Sequence, residues 1–157
     1  MAQPSTDTTT PKLYLDDLSV GMRYHSAEYA MDKAAIVSFA EQFDPQPFHL
    51  NEAAAQASFF DGLAASGWHT AAITMRLLVT SGMPLADGLI GAGGEISWPQ
   101  PTRPDDILHV ESEIVAITPS RSKPNQGMVT VRSETLNQDH QIKQLMIAKL
   151  LVFRRPI

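Results

Sequence analysis

The sequence predicts a single α+β domain in which a curved antiparallel β-sheet wraps around one long central helix. One long apolar segment with helical spacing, residues 66–82, precedes almost all of the strand-like segments. After it, strand patterns follow one another with only short Pro- or Asn/Gln-rich turns between them, which favours antiparallel pairing. A doubly wound parallel sheet is excluded because it needs alternating helices and strands. We therefore expect the sheet to bury one face against the helix.

Length and composition are those of one folded unit. The chain has 157 residues, and its 43% hydrophobic content is enough for a substantial core. Residues 1–11 are rich in Ser, Thr and Pro, which predicts a flexible tail before a domain at residues 12–157. The tail has neither a basic start nor an apolar block, so it does not resemble a signal peptide, and we expect a cytoplasmic protein.

Charge and cysteine content exclude several classes of function. The net charge is −5 and no run of Lys and Arg occurs, so binding to nucleic acid or to an anionic membrane is not expected. The chain has no cysteine, which excludes disulfides, thiolate metal sites and a cysteine nucleophile. The apolar stretches are too short to span a membrane.

The first third of the chain predicts an extended segment followed by a short helix. Residues 14–31 have strand-type side chains with a turn at Gly21. Asp32 is a good N-cap for the apolar helical spacing that runs up to Asp44. Because Pro45 and Pro47 cannot continue that helix, residues 44–49 are predicted to form a stiff loop.

Two further helices and four strands follow. Asn51 predicts the start of a short helix, and Ser66 predicts the start of the long one, which ends at Gly82. Strands are predicted at residues 89–98, 107–117, 128–136 and 142–153, the first of them bulged or closely packed at its glycines. The face of the long helix that we expect in the core comprises Trp68, Ala71, Ala72, Met75, Leu78 and Val79.

A carboxylate and an imidazole lie five residues apart in the proline-rich loop. Asp44 and His49 could together hold and deprotonate a water molecule, since histidine exchanges protons near neutral pH. The alternative is structural: Asp44 closes the helix end and His49 is an ordinary polar loop residue. This motif alone favours the structural alternative, because such a spacing often arises by chance.

The start of the long helix is the second candidate. A helix N-terminus presents free N–H groups and favours negative charge. Gly67 would let a ligand approach that backbone, so a thioester oxygen that becomes an enolate could be stabilised there. The alternative is an ordinary Ser-capped helix. Ser66 as a nucleophile is disfavoured, because the Gly-x-Ser-x-Gly elbow is missing.

These motifs, in this order, resemble a known family. Phe39-Ala40-x-x-Phe43-Asp44-x-x-Pro47-x-His49, then Phe59-Phe60-x-Gly62, then Ser66-Gly67, resemble the signature of MaoC-like dehydratases and (R)-specific enoyl-CoA hydratases. The segment at residues 98–106 resembles the family's later Phe-x-x-Pro-Val-x-x-Gly-Asp motif. The resemblance covers roughly residues 13–153.

The resemblance implies a hotdog fold and an acyl-CoA substrate. Asp44 and His49 would jointly activate the water added to, or released from, the α,β double bond, and the Gly67 N–H would bind the thioester oxygen. It also implies a homodimer or higher homo-oligomer, an acyl-CoA tunnel beside the central helix, and no metal or dissociable cofactor, with coenzyme A present only as part of the substrate. Ser66, Gly67, Trp68 and Arg103 are the residues that we expect to contact the substrate.

Two positions depart from the family pattern. Gln46 stands where the family usually has Asn, and Ser66 stands where it often has His. Gln46 keeps the amide but moves it by about one methylene.

The remaining polar residues are less specific. Among Arg76, Arg103, Arg121 and Lys123, Arg103 is the best candidate for the phosphates of coenzyme A, with a solvated charge as the alternative. His25, His69, His109 and His140 are too scattered to predict a metal site, and each is interpreted as a surface or capped histidine.

Two other functions remain open on this fold. A thioesterase would use a carboxylate to direct water at the thioester carbonyl, and would release free thiol from acyl-CoA. A non-catalytic acyl-CoA-binding subunit would keep the scaffold and bind the thioester without converting it.

Overall fold

A computed structural model describes residues 10–157, so most of the predicted tail lies outside the described residues. The helices are a 3₁₀ turn at Leu15–Asp17, α1 at Lys33–Phe43, α2 at Pro47–Leu50, α3 at Glu52–Gln56 and α4 at Gly67–Ser81. The strands are β1 at Arg23–His25, β2 at Tyr29–Ala30, β3 at Ile90–Ser97, β4 at Ile107–Pro119, β5 at Gln126–Leu136 and β6 at Ile142–Phe153.

The strands form one antiparallel sheet around α4. The sheet order is β1-β4-β5-β6-β3, and β2 also pairs with β4. Each of β4, β5 and β6 pairs with its sequence neighbour through a short turn, and β3 returns to pair with β6 at the far edge. This is the predicted α+β architecture, a curved sheet wrapped around a central helix. No helix among residues 10–157 is long and apolar enough to cross a membrane.

Local capping explains where the helices begin. The Asp32 carboxylate accepts hydrogen bonds from the N–H groups of Ala34 and Ala35, at 2.7 and 3.4 Å. Asn51 and Ser66 cap α3 and α4 in the same way. The predicted starts of all three helices are confirmed, as is the end of α4 before Gly82.

Two local predictions were incomplete. Residues 14–31 are not a continuous strand, because the 3₁₀ turn precedes the two short strands β1 and β2. Residues 44–49 were predicted as a loop, yet α2 begins within them at Pro47. Proline suits the first position of a helix, where its missing N–H would have had no partner.

The glycine-rich strand β3 is confirmed as bulged. Its register with β6 shifts between Gly91 and Gly93, and Gly93 has φ of 145°, a conformation that favours glycine. A Cβ at Gly94 would collide with the backbone of Ile147 on β6. Glycine therefore permits both the kink and the close approach of the two strands.

The face of α4 that is buried differs from the prediction. Its buried residues are His69, Thr70, Ile73, Thr74, Leu77 and Leu78. Of the predicted apolar face, Leu78 is buried, whereas Trp68, Met75 and Val79 are exposed. Buried threonines are tolerated because the Thr70 hydroxyl bonds Thr102 at 2.9 Å and the Thr74 hydroxyl bonds Thr135 at 2.6 Å.

Candidate active site

The structure brings Asp44 and His49 together at the end of α1. Helix α1 ends at Asp44 because proline follows it, and the single turn of α2 carries His49 back towards the carboxylate. The distance from His49 Nε2 to Asp44 Oδ2 is 3.2 Å, and the two side chains are only 5% and 17% exposed. The pair lies in a protected position, where its electrostatic interaction is stronger than in bulk water.

The other ring nitrogen of His49, Nδ1, makes a hydrogen bond that orients the imidazole. Nδ1 lies 2.6 Å from the carbonyl oxygen of Ala64 and must donate to it, because a carbonyl can only accept. Nε2 is the nitrogen that faces the Asp44 carboxylate. The rings of Phe48 and Phe60 pack around the imidazole, with centroids 4.6 and 6.0 Å away.

The Asp44 carboxylate accepts several hydrogen bonds. Gln46 Nε2 donates to Oδ1 at 2.6 Å. Burial raises the pKa of Asp44, but the Gln46, Ser66 and His49 side chains outweigh burial and hold the pKa below its usual value. The residues at both positions that depart from the family pattern thus stabilise the ionised form of the same carboxylate.

The N-terminus of α4 lies directly beside this carboxylate, because Ser66 is its N-cap. The Ser66 oxygen accepts from Trp68 N at 3.3 Å, and the Ser66 carbonyl accepts from His69 and Thr70. Among residues 10–157 the Gly67 N–H has no protein acceptor. A free N–H at a helix N-terminus suits an oxygen that gains negative charge.

Gly67 itself is covered by an indole ring. A Cβ at this position would lie 2.6 to 2.9 Å from atoms of the Trp98 ring. Any side chain at position 67 would therefore push the ring or the helix start out of place, which explains why glycine is needed here. The approach of a ligand to the Gly67 backbone stays a prediction.

A buried polar chain holds Trp98 in that position. Trp98 Nε1 donates to Gln144 Oε1 at 2.9 Å, and Gln144 Nε2 donates to the Thr74 hydroxyl at 3.3 Å. Gln144 and Thr74 are fully buried. Gln144 was not predicted as a site residue, although a glutamine in a largely apolar strand is a signal of a buried polar contact.

The Arg103 guanidinium ties two loops together. Nη1 donates to the carbonyls of Gly62 and Leu63 at 2.8 and 3.2 Å, and Nη2 donates to that of Phe60. The Arg103 N–H donates to Asp106 at 2.8 Å, and Asp106 in turn faces the buried Lys143 ammonium at 3.5 Å. Arg103 therefore holds the segment at residues 60–63 against its own loop, a structural role that the sequence did not indicate. Its contact with substrate stays a prediction.

An apolar cavity of about 440 Å³ adjoins the exposed face of α4. Trp68, Ala71 and Met75 line it from the helix, and Gly94, Met146 and Ala148 line it from β3 and β6. Because Trp68 follows Gly67 in the chain, the cavity reaches the start of the helix. A flexible apolar chain attached to a group held at Gly67 could enter it.

Of the histidines interpreted as surface or capped residues, His25 and His140 are exposed, whereas His69 and His109 are buried. His69 is buried, with its ring stacked on Phe39 at 4.6 Å, and its Nδ1 has no hydrogen-bond partner in the described part of the chain. Burial lowers the pKa of His69, so its imidazole is neutral at neutral pH. His109 is also buried, under the ring of His25, at a centroid separation of 4.6 Å.

The match to a protein family covers most of the chain, since residues 18–137 match the model of the MaoC like domain. The chain belongs to the MaoC-like family. The resemblance to MaoC-like dehydratases and the predicted hotdog fold are thereby confirmed.

Known relatives agree with this membership. A MaoC-like dehydratase from Rhodospirillum rubrum has a crystal structure that is similar with a TM-score of 0.92 and 63% identity, over 92% of this chain and 99% of that one. The R-hydratase PhaJ1 of Pseudomonas aeruginosa has a TM-score of 0.72 at 22% identity, over 92% of this chain and 88% of that one. The uncharacterized protein YdeM of Bacillus subtilis (strain 168) is 32% identical over 79% of this chain and 87% of its own length. Family membership supports a hydratase or dehydratase activity in general.

Proposed function

We propose that this chain catalyses the reversible addition of water to a trans-2-enoyl-CoA. The observation that carries the proposal is the Asp44–His49 pair, 3.2 Å apart, together with the helix α4 that begins at Gly67. Hydration of a conjugated thioester needs a group to activate water and a group to bind the enolate oxygen. The Asp44–His49 pair and the N–H groups at the start of α4 support the proposal as candidates for these two roles.

The roles of the residues follow from the chemistry of the reaction. Asp44 and His49 hold a water molecule and accept its proton as its oxygen bonds to Cβ of the substrate. The electron pair of the double bond moves towards the thioester oxygen, where the Gly67 N–H stabilises the enolate. A proton returned from the pair to Cα completes the addition. The reaction moves only a proton and a hydroxyl group, so it requires no redox cofactor.

Substrate contacts extend from this centre. The thioester lies at Ser66 and Gly67, and the acyl chain enters the apolar cavity beside Trp68 and Met75. Arg103 lies on the loop that follows Trp98, where its remaining N–H donors could meet a phosphate of coenzyme A.

We further propose that the protein works as a homodimer. Trp68 and Val79 are 61% and 64% exposed on α4, and the neighbouring strand β3 has its outer edge unpaired among residues 10–157. An exposed apolar helix face beside a free strand edge is typical of a surface that pairs with a second copy.

The test is the loss of conjugated-enoyl absorbance with crotonyl-CoA and with a longer trans-2-enoyl-CoA. Asp44→Asn should lower turnover by about 10²-fold or more, because an amide cannot accept the proton of water. Asp32→Asn is the matched control: it removes a carboxylate at the other end of the same helix, and asparagine is an equally good N-cap. It should keep full turnover.

Other results would assign one of the other two functions. Full turnover of Asp44→Asn would mean that Asp44 is not the group that activates water. Free thiol released from a saturated acyl-CoA, without loss of the double bond, would indicate a thioesterase. Tight binding of acyl-CoA without any turnover would indicate a non-catalytic binding subunit.

A further inference from the structure

Two histidines and a glutamate converge on the outer face of the sheet. His25 on β1 lies opposite Glu111 on β4, since their Cα atoms are partners in the register. His109 is two residues before Glu111 on the same strand and therefore points to the same face. Leu108 and Val110, which alternate with them, lie in the core against α4. The cluster thus faces away from α4.

The distances within the cluster are close to those of a metal site. Nε2 of His25 and Nε2 of His109 lie 3.7 and 3.8 Å from the same carboxylate oxygen, Oε1 of Glu111. All three potential ligand atoms lie within 4.8 Å of one another. Ligand atoms around a tetrahedral Zn²⁺ are about 3.3 Å apart when each bond is about 2.0 to 2.1 Å long. The rings of His25 and His109 are stacked, with 14° between their planes, so binding one ion requires both rings to turn until their nitrogen lone pairs converge.

The hydrogen bond of His25 aims a lone pair at this carboxylate. His25 Nδ1 lies 2.9 Å from the carbonyl oxygen of Ser26 and must donate to it. In the neutral ring, Nε2 then carries the lone pair, which faces the negative Glu111. A cation between them would satisfy both groups. A metal-bound histidine commonly donates its other N–H to a carbonyl in this way.

We propose that His25, His109 and Glu111 form a binding site for a divalent transition-metal ion of the Zn²⁺ class. Two imidazole nitrogens and one carboxylate oxygen suit Zn²⁺, whereas Mg²⁺ and Ca²⁺ prefer oxygen ligands alone. The His25 and Glu111 side chains are 60% and 50% exposed, so a fourth position is open to water or to an external ligand. The site is separate from Asp44 and His49, and it stands whether or not the hydratase proposal holds.

Calorimetric titration of Zn²⁺ into protein without a polyhistidine tag tests the proposal. The unaltered protein should bind one ion per chain. His25→Ala and Glu111→Gln should each weaken binding by roughly tenfold or more, because losing even a residue that only hydrogen-bonds to a metal ligand commonly costs that much affinity. Both altered side chains are half exposed, so neither variant should unfold. Glu113→Gln is the matched control, at the next outward position of β4, where it pairs with Arg23 at 3.4 Å. It should bind like the unaltered protein.

Three results would overturn the site. They are the absence of Zn²⁺ binding, unchanged binding in both ligand variants, and an equal loss in Glu113→Gln, which would show diffuse attraction to acidic groups. The absorption of bound Co²⁺ gives a second readout. Tetrahedral visible bands that are lost in His25→Ala support the site, and an octahedral spectrum that is the same in both proteins contradicts it.

Discussion

The ionisation of Asp44 depends on donors that the chain places around one carboxylate. The pKa of Asp44 lies below its usual value because Gln46, Ser66 and His49 stabilise the anion more than burial destabilises it. Such a group contributes stability above its usual pKa, and that contribution is lost as the pH falls through its lowered pKa. In the proposed mechanism the same carboxylate must be ionised to accept a proton from water. The pKa of Asp44 then contributes to the acidic limb of the activity profile.

Gln46→Leu should move that acidic limb to higher pH. The variant removes the donor that lies 2.6 Å from Asp44 Oδ1, while burial, which raises the pKa of Asp44, remains. Activity should therefore fall off at a pH where the unaltered enzyme is still fully active. The measurement is kcat/KM against pH, since it follows groups of the free enzyme. Gln42→Leu is the control, because Gln42 is exposed on α1 and its side chain donates to the Ser38 carbonyl, at 3.4 Å, and to no other group within residues 10–157. An acidic limb that does not move in Gln46→Leu would show that Gln46 does not set the pKa of Asp44.

Site residues differ in how far the sequence could predict them. Asp44 and His49 are close in sequence, and proline fixes the path between them, so their contact could be expected. Gln144 is far from Trp98 in sequence, and their contact depends on the path of β6 under α4. The register of β1 against β4 determines in the same way that His25 meets Glu111. Contacts between strands distant in sequence leave no spacing pattern to find.

At the scale of elements, the start of α4 depends on the close packing of Gly67 against Trp98. Gly67→Ala should destabilise the fold by about 1–3 kcal/mol, because the added methyl group would lie 2.6 Å from the indole ring. The displaced helix start should also lower kcat, since the N–H proposed to bind the enolate moves. Thermal unfolding and turnover measure the two effects.

A second substitution separates a steric effect from other causes. Trp98→Ala removes the ring that the new methyl group meets, so adding it to Gly67→Ala should cost less stability than it costs in the unaltered protein. Non-additivity of this kind is expected only for residues in contact. Strictly additive losses would mean that the glycine is needed for another reason.

The boundaries of elements could be predicted well, whereas the orientation of α4 could not. Caps such as Asp32 and Ser66 act locally, so the sequence shows where helices begin. Helix α4 is largely apolar all around, and periodicity does not show which of its apolar residues face the sheet. Thr70 and Thr74 can be buried because their hydroxyl groups form hydrogen bonds with Thr102 and Thr135, which lie in distant segments of the chain. The core face of α4 was therefore predicted wrongly, because it depends on hydrogen-bond partners that are distant in sequence.

At the scale of the whole molecule, this error has a consequence for assembly. The apolar side chains expected in the core, Trp68, Met75 and Val79, remain exposed on a single chain. They lie beside the apolar cavity, to which Trp68 and Met75 contribute directly. A second copy that covers this face would remove apolar surface from water and would also close one side of the proposed acyl pocket.

Val79→Asp should convert the proposed dimer into a monomer. A charge placed in an apolar interface should weaken association by roughly 2 kcal/mol or more, which light scattering with size-exclusion chromatography detects as a concentration-dependent fall in mass. The monomer should stay folded, because Val79 is 64% exposed on the single chain. Thr80→Asp is the control, since it adds the same charge at the next exposed position of the same helix, turned away from Val79 by about 100°. If Val79→Asp keeps the mass of the unaltered protein at every concentration, this face of α4 is not the interface. If both variants dissociate alike, the added charge acts through general repulsion and not through the apolar contact.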